Sequence, residues 1–165
     1  MTTASARSAG PPSPSGSASR GVAEAPEGAA LRFEIRPDRG RPLHFSGRLV
    51  ARASTPARAG LPGHAATLYA AARGAWIVAL RTEQNAGSDP TIRAWRVKSR
   101  EAALETLCAH DAGEDVPVAV TAGDPSLSPA ETAAAALDLM ARISLARRAF
   151  ARLVDVLRDR SEPGP

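Results

Sequence analysis

Ser128-Pro129-Ala130-Glu131 starts the one element of this chain that a small fold cannot easily absorb. A serine at the N-cap, proline at the first helical position and glutamate at N3 form a capping box. The helix it opens runs to about Arg160, before Pro163 and Gly164. Thirty-odd residues at 1.5 Å each make a rod of about 45–50 Å, longer than one small sheet covers. Leu139, Ile143, Ala146, Phe150, Leu153 and Leu157 recur along it at spacings of four and three. That is an a/d seam of nearly three heptads, as in a coiled coil. Arg142, Arg147, Arg148, Arg152, Arg158 and Arg160 lie mostly off the seam. Two readings follow. In one, the N-terminal half packs on the chain's own sheet with a solvated arginine face. In the other, the C-terminal half pairs with another copy or with a partner protein, and the six seam residues are its interface.

Upstream the apolar period is two rather than three and a half. LRFEIR (31–36) alternates apolar and charged residues, the pattern of a half-buried strand. LHFSGRLVARAS (43–54) predicts a longer strand with Leu43, Phe45, Leu49 and Ala53 on one face. Gly47 interrupts that face, marking a bulge or a close backbone approach. LYAAARGAWIVALRTE (68–83) admits a helix or a hairpin. A helix would carry Gly74 at its centre, at about 1 kcal/mol relative to alanine, with no cap. A hairpin with arms Thr67–Ala72 and Ala75–Thr82 uses Gly74 for the positive φ of its turn, and it is the better account. TIRAWRVK (91–98) is a further strand. Ser99 caps a short helix over 100–109, with Glu101 and Glu105 near its positive end. VPVAVT (116–121) suggests a short edge strand, because Pro117 cannot donate to a ladder.

The predicted architecture is α+β: an antiparallel meander of four or five strands packed by a short helix, plus a long C-terminal helix. Its parts are a tail over 1–30, an α+β domain over 31–126 and the helix over 127–160. Residues 1–30 hold Pro11, Pro12, Pro14 and Pro26 and, beyond the first Met, one hydrophobe larger than alanine, Val22. Such a segment cannot bury enough apolar surface to offset its ordering entropy, so a disordered tail is expected.

The single cysteine, Cys108, excludes an internal disulfide framework and points to a reducing cytosol. With no secretory core and no apolar run of the ~18–20 residues a bilayer needs, the expectation is a cytoplasmic chain with no membrane partner.

Net charge is +4 and the pI near 10.5. Residues 31–98 hold twelve basic and four acidic side chains, whereas 99–128 hold one and six. If the strands alternate regularly, Arg32, Arg36, Arg48, Arg52, Arg96 and Lys98 share an outer sheet face able to neutralise phosphates of DNA or RNA. Stacking aromatics would complete such a surface, yet Phe33, Phe45, Trp76 and Trp95 are expected to face the core. Twenty of the 21 basic residues are Arg, and the chain holds 36 Ala. GC-rich coding produces that bias whatever the protein binds, so solvated arginines account for the same pattern.

Catalytic signatures are missing. No nucleophile elbow, phosphate-cradling glycine loop, paired-cysteine zinc motif or HExxH occurs. Cys108 and His110, two apart on a helix, point about 200° from each other and make a poor metal pair. His44, His64 and His110 fall on a strand, in a loop and at a helix end. No enzyme, cofactor or metal is expected.

FSGRLVA (45–51), LYAAARGAWIV (68–78) and IRAWRVKSREAALETL (92–107) together resemble the core of the small bacterial EXLDI proteins. In those an F-x-G-R-L strand precedes an L/V-Y-R-T-x-x-G hairpin and a strand leading into a Leu-rich helix. The likeness spans residues 43–107, about 40% of the chain. The family's N-terminal helical segment is replaced and its E-x-L-D-I ending is absent. What the resemblance implies is the hairpin and a bacterial accessory role; it brings no activity. The functional expectation is therefore a non-enzymatic accessory or interaction protein, self-associating or partner-binding through the last helix. A nucleic-acid-binding regulator is the alternative.

Overall fold

The computed structural model describes residues 31–85, 87–118 and 126–162. The expected tail over 1–30 lies outside them, as do residues 119–121 of the expected edge strand; Val116–Val118 form no strand. Five strands follow one another as a meander: β1 (Leu31–Ile35), β2 (Leu43–Thr55), β3 (Gly63–Ala71), β4 (Trp76–Glu83) and β5 (Thr91–Val97). Each pairs antiparallel with the next, in the order β1-β2-β3-β4-β5. Two helices complete the fold, α1 (Arg100–Cys108) and α2 (Pro129–Ser161). The α+β meander, the short helix and the long C-terminal helix all form as the residue patterns predict.

The hairpin at Gly74 is real. β3 and β4 run in register from Gly63↔Glu83 to Ala70↔Trp76. A single turn, Ala72–Gly74, joins them, closed by Ala71 N–H donating to Ala75 O at 2.8 Å. Gly74 takes φ +75°, and Arg73 beside it is also left-handed, at φ +65°. β3 starts at Gly63, earlier than Thr67, because the Pro- and Gly-rich stretch before it is shorter than it looks.

Both helices lie on one face of the sheet. α2 crosses β2 and β3, while α1 sits against β4 and β5. The core between the layers is Ala51, Ala53, Ala66, Leu68, Val78 and Leu80 from the sheet, met by Leu104, Leu107, Phe150, Leu153 and Leu157. Small alanines on β2 and β3 let the helix approach closely, and large residues on the helices fill the space. Both helix starts carry the caps that their sequences demand. Ser99 accepts from Ala102 N–H, and Ser128 with Glu131 forms the reciprocal box.

Between Leu49 and Ala51 the β2–β3 register slips by one residue, a bulge that inverts the alternation along β2. Leu49 therefore shares a face with Phe45, whereas Ala51 and Ala53 turn to the helices. Gly47, four residues from Ala51, makes the close backbone approach: a Cβ there would sit 2.4 Å from Ala70 O. The face away from the helices is lined by Phe33, Phe45 and Tyr69, ring centroids 4.8–5.3 Å apart. Of the four aromatics expected in the core, only Trp76 and Trp95 pack against it.

Candidate functional site

Three surfaces carry chemistry. The first corrects the expectation for α2. Ala146, Phe150, Leu153 and Leu157 are buried in the chain's own core, and Leu139 and Ile143 are half-buried. The a/d seam is thus the intramolecular face, and it is the C-terminal half of α2 that covers the sheet. Arg160 donates to Arg52 O at 2.8 Å, and Arg100 donates to Ser161 Oγ and Arg158 O, fastening that end. Before Ala146 no residue of α2 is fully buried. Opposite the seam, Leu137 is 68% and Met140 64% exposed, flanked by Ala133, Ala141 and Leu145. Periodicity located the seam correctly; which surface covers it depends on the fold.

The second is the expected basic face, which the bulge divides. Arg32 lies opposite Ser46 and Arg48 opposite Ala70, on the side bearing the helices. Arg52 opposite Thr67 and Arg96 opposite Ile77 lie on the other side. Arg36 is ion-paired to Glu34, and exposed Lys98 follows the end of β5. The six do not form one surface. Arg36 and Arg52 instead meet Arg81 around a hollow of about 540 Å³ with Tyr69, Thr67 and Ile92 in its wall. Burial pushes the Tyr69 hydroxyl above its ordinary value, partly opposed by Arg52.

The third was not foreseen. His64 enters from β3 on the helix-facing side, opposite Thr82, with its N–H bonded to Thr55 Oγ1 at 3.2 Å. At the other end, α1 stops at Cys108 and the chain turns sharply: His110 N–H bonds Leu107 O, Glu114 N–H bonds Asp111 O, and Val116 N–H bonds Gly113 O. These turns bring Asp115 back beneath His110. Asp115 Oδ2 lies 3.0 Å from His64 Nε2 and 2.7 Å from His110 Nε2. The side chains of His64, His110 and Asp115 are 1%, 6% and 7% exposed. Phe150 from α2 packs edge-on against both imidazoles, at 5.1 and 5.0 Å. Arg93 of β5 closes the cluster, with Nη2 3.5 Å from Asp115 Oδ1 and Nη1 3.2 Å from His110 Nδ1.

A guanidinium only donates, so the His110 ring must accept at Nδ1 and carry its proton on Nε2. That proton goes to Asp115. Burial alone would raise the Asp115 carboxyl, but the hydrogen bonds from His110 and His64 outweigh it and hold the group well below the usual carboxylate range. Nearby, Arg147 grips Asp111 through two bonds of 2.8 and 2.6 Å, lowering its pKa to about 2. That clamp pins the 109–118 segment to α2, helped by Arg142 donating to Pro117 O.

Neither histidine's sequence context announces the cluster. His64 follows a Pro/Gly-rich stretch, His110 lies past a helix end, and Asp115 sits in a turn; only the sheet and the helix packing bring them together. Cys108 remains exposed, and His44 lies on β2, away from the cluster. Comparison with protein-family models, curated proteins and solved structures finds nothing that matches this chain.

Proposed function

We propose that this chain is an interaction protein of the bacterial accessory kind, acting by binding rather than catalysis, and that it self-associates through the first half of α2. The observation carrying this reading is the exposed strip of Leu137 and Met140 with Ala133 and Ala141, on the helix face opposite the core. Two large apolar side chains one turn apart, on a helix segment with no fully buried residue, favour burial against another surface. The occupant is a second copy, because α2 is polar along its length. Glu131 and Asp138 lie in its first part, and Arg142, Arg147 and Arg148 follow. An antiparallel pair centred near Met140 sets Glu131 of one copy beside Arg148 of the other. A parallel pair would align like charges.

Light scattering on a size-exclusion column tests this. Wild type at tens of micromolar is expected at twice the 17.1 kDa chain mass. Leu137→Glu with Met140→Glu is expected to return it to one chain mass with wild-type circular dichroism and a thermal midpoint that no longer depends on concentration. A wild-type mass of one chain across that concentration range would end the proposal.

The hollow bearing Arg36, Arg52 and Arg81 beside Tyr69 favours a second reading, single-stranded nucleic acid held on the helix-free sheet face. Salt-titrated fluorescence anisotropy separates the two readings. This one predicts a steep fall of affinity with salt, abolished by Arg52→Ala with Arg81→Ala; salt-independent or absent binding removes it.

A further inference from the structure

We infer that His64, His110 and Asp115 form a binding site for a divalent first-row transition ion such as zinc, tying β3 to the segment after α1. Their ligand atoms, one from each residue, lie within 4.8 Å of one another. Two distant pieces of chain supply them, β3 giving His64 and the turns after α1 giving His110 and Asp115, so the convergence is tertiary. Both imidazoles present the same nitrogen, Nε2, to the same carboxylate oxygen. Two histidines and one carboxylate suit zinc and its first-row neighbours, with a fourth position left for water.

The geometry is close to what such an ion requires. Bonds of about 2.0–2.2 Å, at angles between a right angle and tetrahedral, put neighbouring ligand atoms about 2.8–3.6 Å apart. The two nitrogen-to-oxygen separations are 3.0 and 2.7 Å. Placing the ion among the three atoms needs the two imidazoles, tilted 68° to each other, to adjust about the carboxylate, with Phe150 packed edge-on against both rings. The low exposure of all three side chains leaves few water contacts for the ion to displace.

Proton placement identifies a fourth residue. In the metal-free arrangement Nε2 of His110 carries its proton and Nδ1 accepts from Arg93. Binding the ion needs the Nε2 lone pair, so the ring must carry its proton on Nδ1 instead. That Nδ1–H then faces the guanidinium, donor against donor. Arg93 must swing away, which its 46% exposed side chain permits. Its charge also opposes that of the ion across Asp115. Arg93 is therefore a built-in antagonist of metal binding, and removing it tightens the site.

The test uses the full chain, stripped with chelator and titrated with Zn²⁺ by calorimetry, then with Co²⁺ by visible absorption. Wild type is expected to bind one ion, with a cobalt spectrum lacking the thiolate charge-transfer band that Cys108 would add. His110→Gln and Asp115→Asn are expected to weaken binding by at least about 100-fold, and Arg93→Gln to strengthen it by about tenfold. His44→Gln should leave it unchanged. Circular dichroism checks that each variant is folded. Arg93→Gln alters a half-exposed side chain, so the inference stays testable even where a cluster variant unfolds. No stoichiometric binding by wild type, undiminished binding by folded His110→Gln or Asp115→Asn, or unchanged or weaker binding by Arg93→Gln would each overturn it.

Discussion

Replacing Gly47 with alanine pits two effects of opposite sign against each other. Gly47 lies in β2 opposite Leu31 on one side and Ala71 on the other, without a left-handed φ. Alanine therefore suits its backbone, and by narrowing the unfolded ensemble should stabilise by about 0.4–1 kcal/mol. Against this, the added Cβ would stand 2.4 Å from Ala70 O and 2.9 Å from Ala71 Cα, both backbone atoms of β3. An ordinary contact needs about 1 Å more. No side chain can rotate away, so β2 and β3 must part there by most of that distance. Ladder hydrogen bonds near 2.9 Å would lengthen beyond useful range, and losing one or two costs about 1 kcal/mol each. Residual crowding adds about 1–3 kcal/mol. The net expectation is a destabilisation of about 2–4 kcal/mol. Urea unfolding followed by fluorescence of Trp76 and Trp95, both partly buried against the core, measures it directly. An unchanged or raised midpoint would show that the strands yield there without loss, and the close-approach account of Gly47 would be wrong.

The turn at Gly74 responds to a different force. Nothing lies within 4 Å of a Cβ there, so Gly74→Val should lose more than ~1 kcal/mol through the left-handed backbone alone. Arg73→Gly, relieving the other positive φ of the turn, should raise the thermal midpoint, and a fall would refute the strain argument. Asp111 titrates at about 2 in the folded chain and near 3.9 when unfolded. Its contribution to stability is thus fully present above about pH 4 and is lost as pH falls towards 2. Arg147→Ala should raise the Asp111 carboxyl towards its ordinary range by carbon NMR, with the Gly113 N–H bond still lowering it, and a wild-type midpoint already near 4 would dismiss the clamp. Ser128→Ala removes the cap and should cost about 1 kcal/mol, confined to the start of α2. Faster amide exchange over Thr132–Ala136 is the expected readout, and unaltered exchange would count against it.

What could be seen in the residues follows how local each cause is. The alternation in 31–36 and 91–98, the caps at Ser99 and Ser128 and the glycine of the 72–74 turn act within a few residues, and all are realised. The bulge at Leu49–Ala51 leaves no mark on composition, yet it moves Arg52 to the opposite face from Arg48 and dissolves the basic surface that alternation implied. Heptad spacing in α2 shows which face is apolar without saying what covers it. Leu137 and Met140 stand exposed because the sheet occupies only the second half of the helix. His64, His110 and Asp115 meet because a sheet register and three consecutive turns place them together, and no spacing in a single chain encodes that.

The loop after β1 has a wider consequence. Asp38 gives its N–H to Ile92 O at 2.9 Å and takes the Ile92 N–H on its carboxylate at 2.6 Å. Those two groups of β5 point outward, away from β4. On an open edge they would template a strand from any passing chain. With Asp38 occupying them, that end of the sheet is closed to strand addition. Assembly by edge-to-edge stacking, the usual hazard of a five-stranded meander, is blunted at this point.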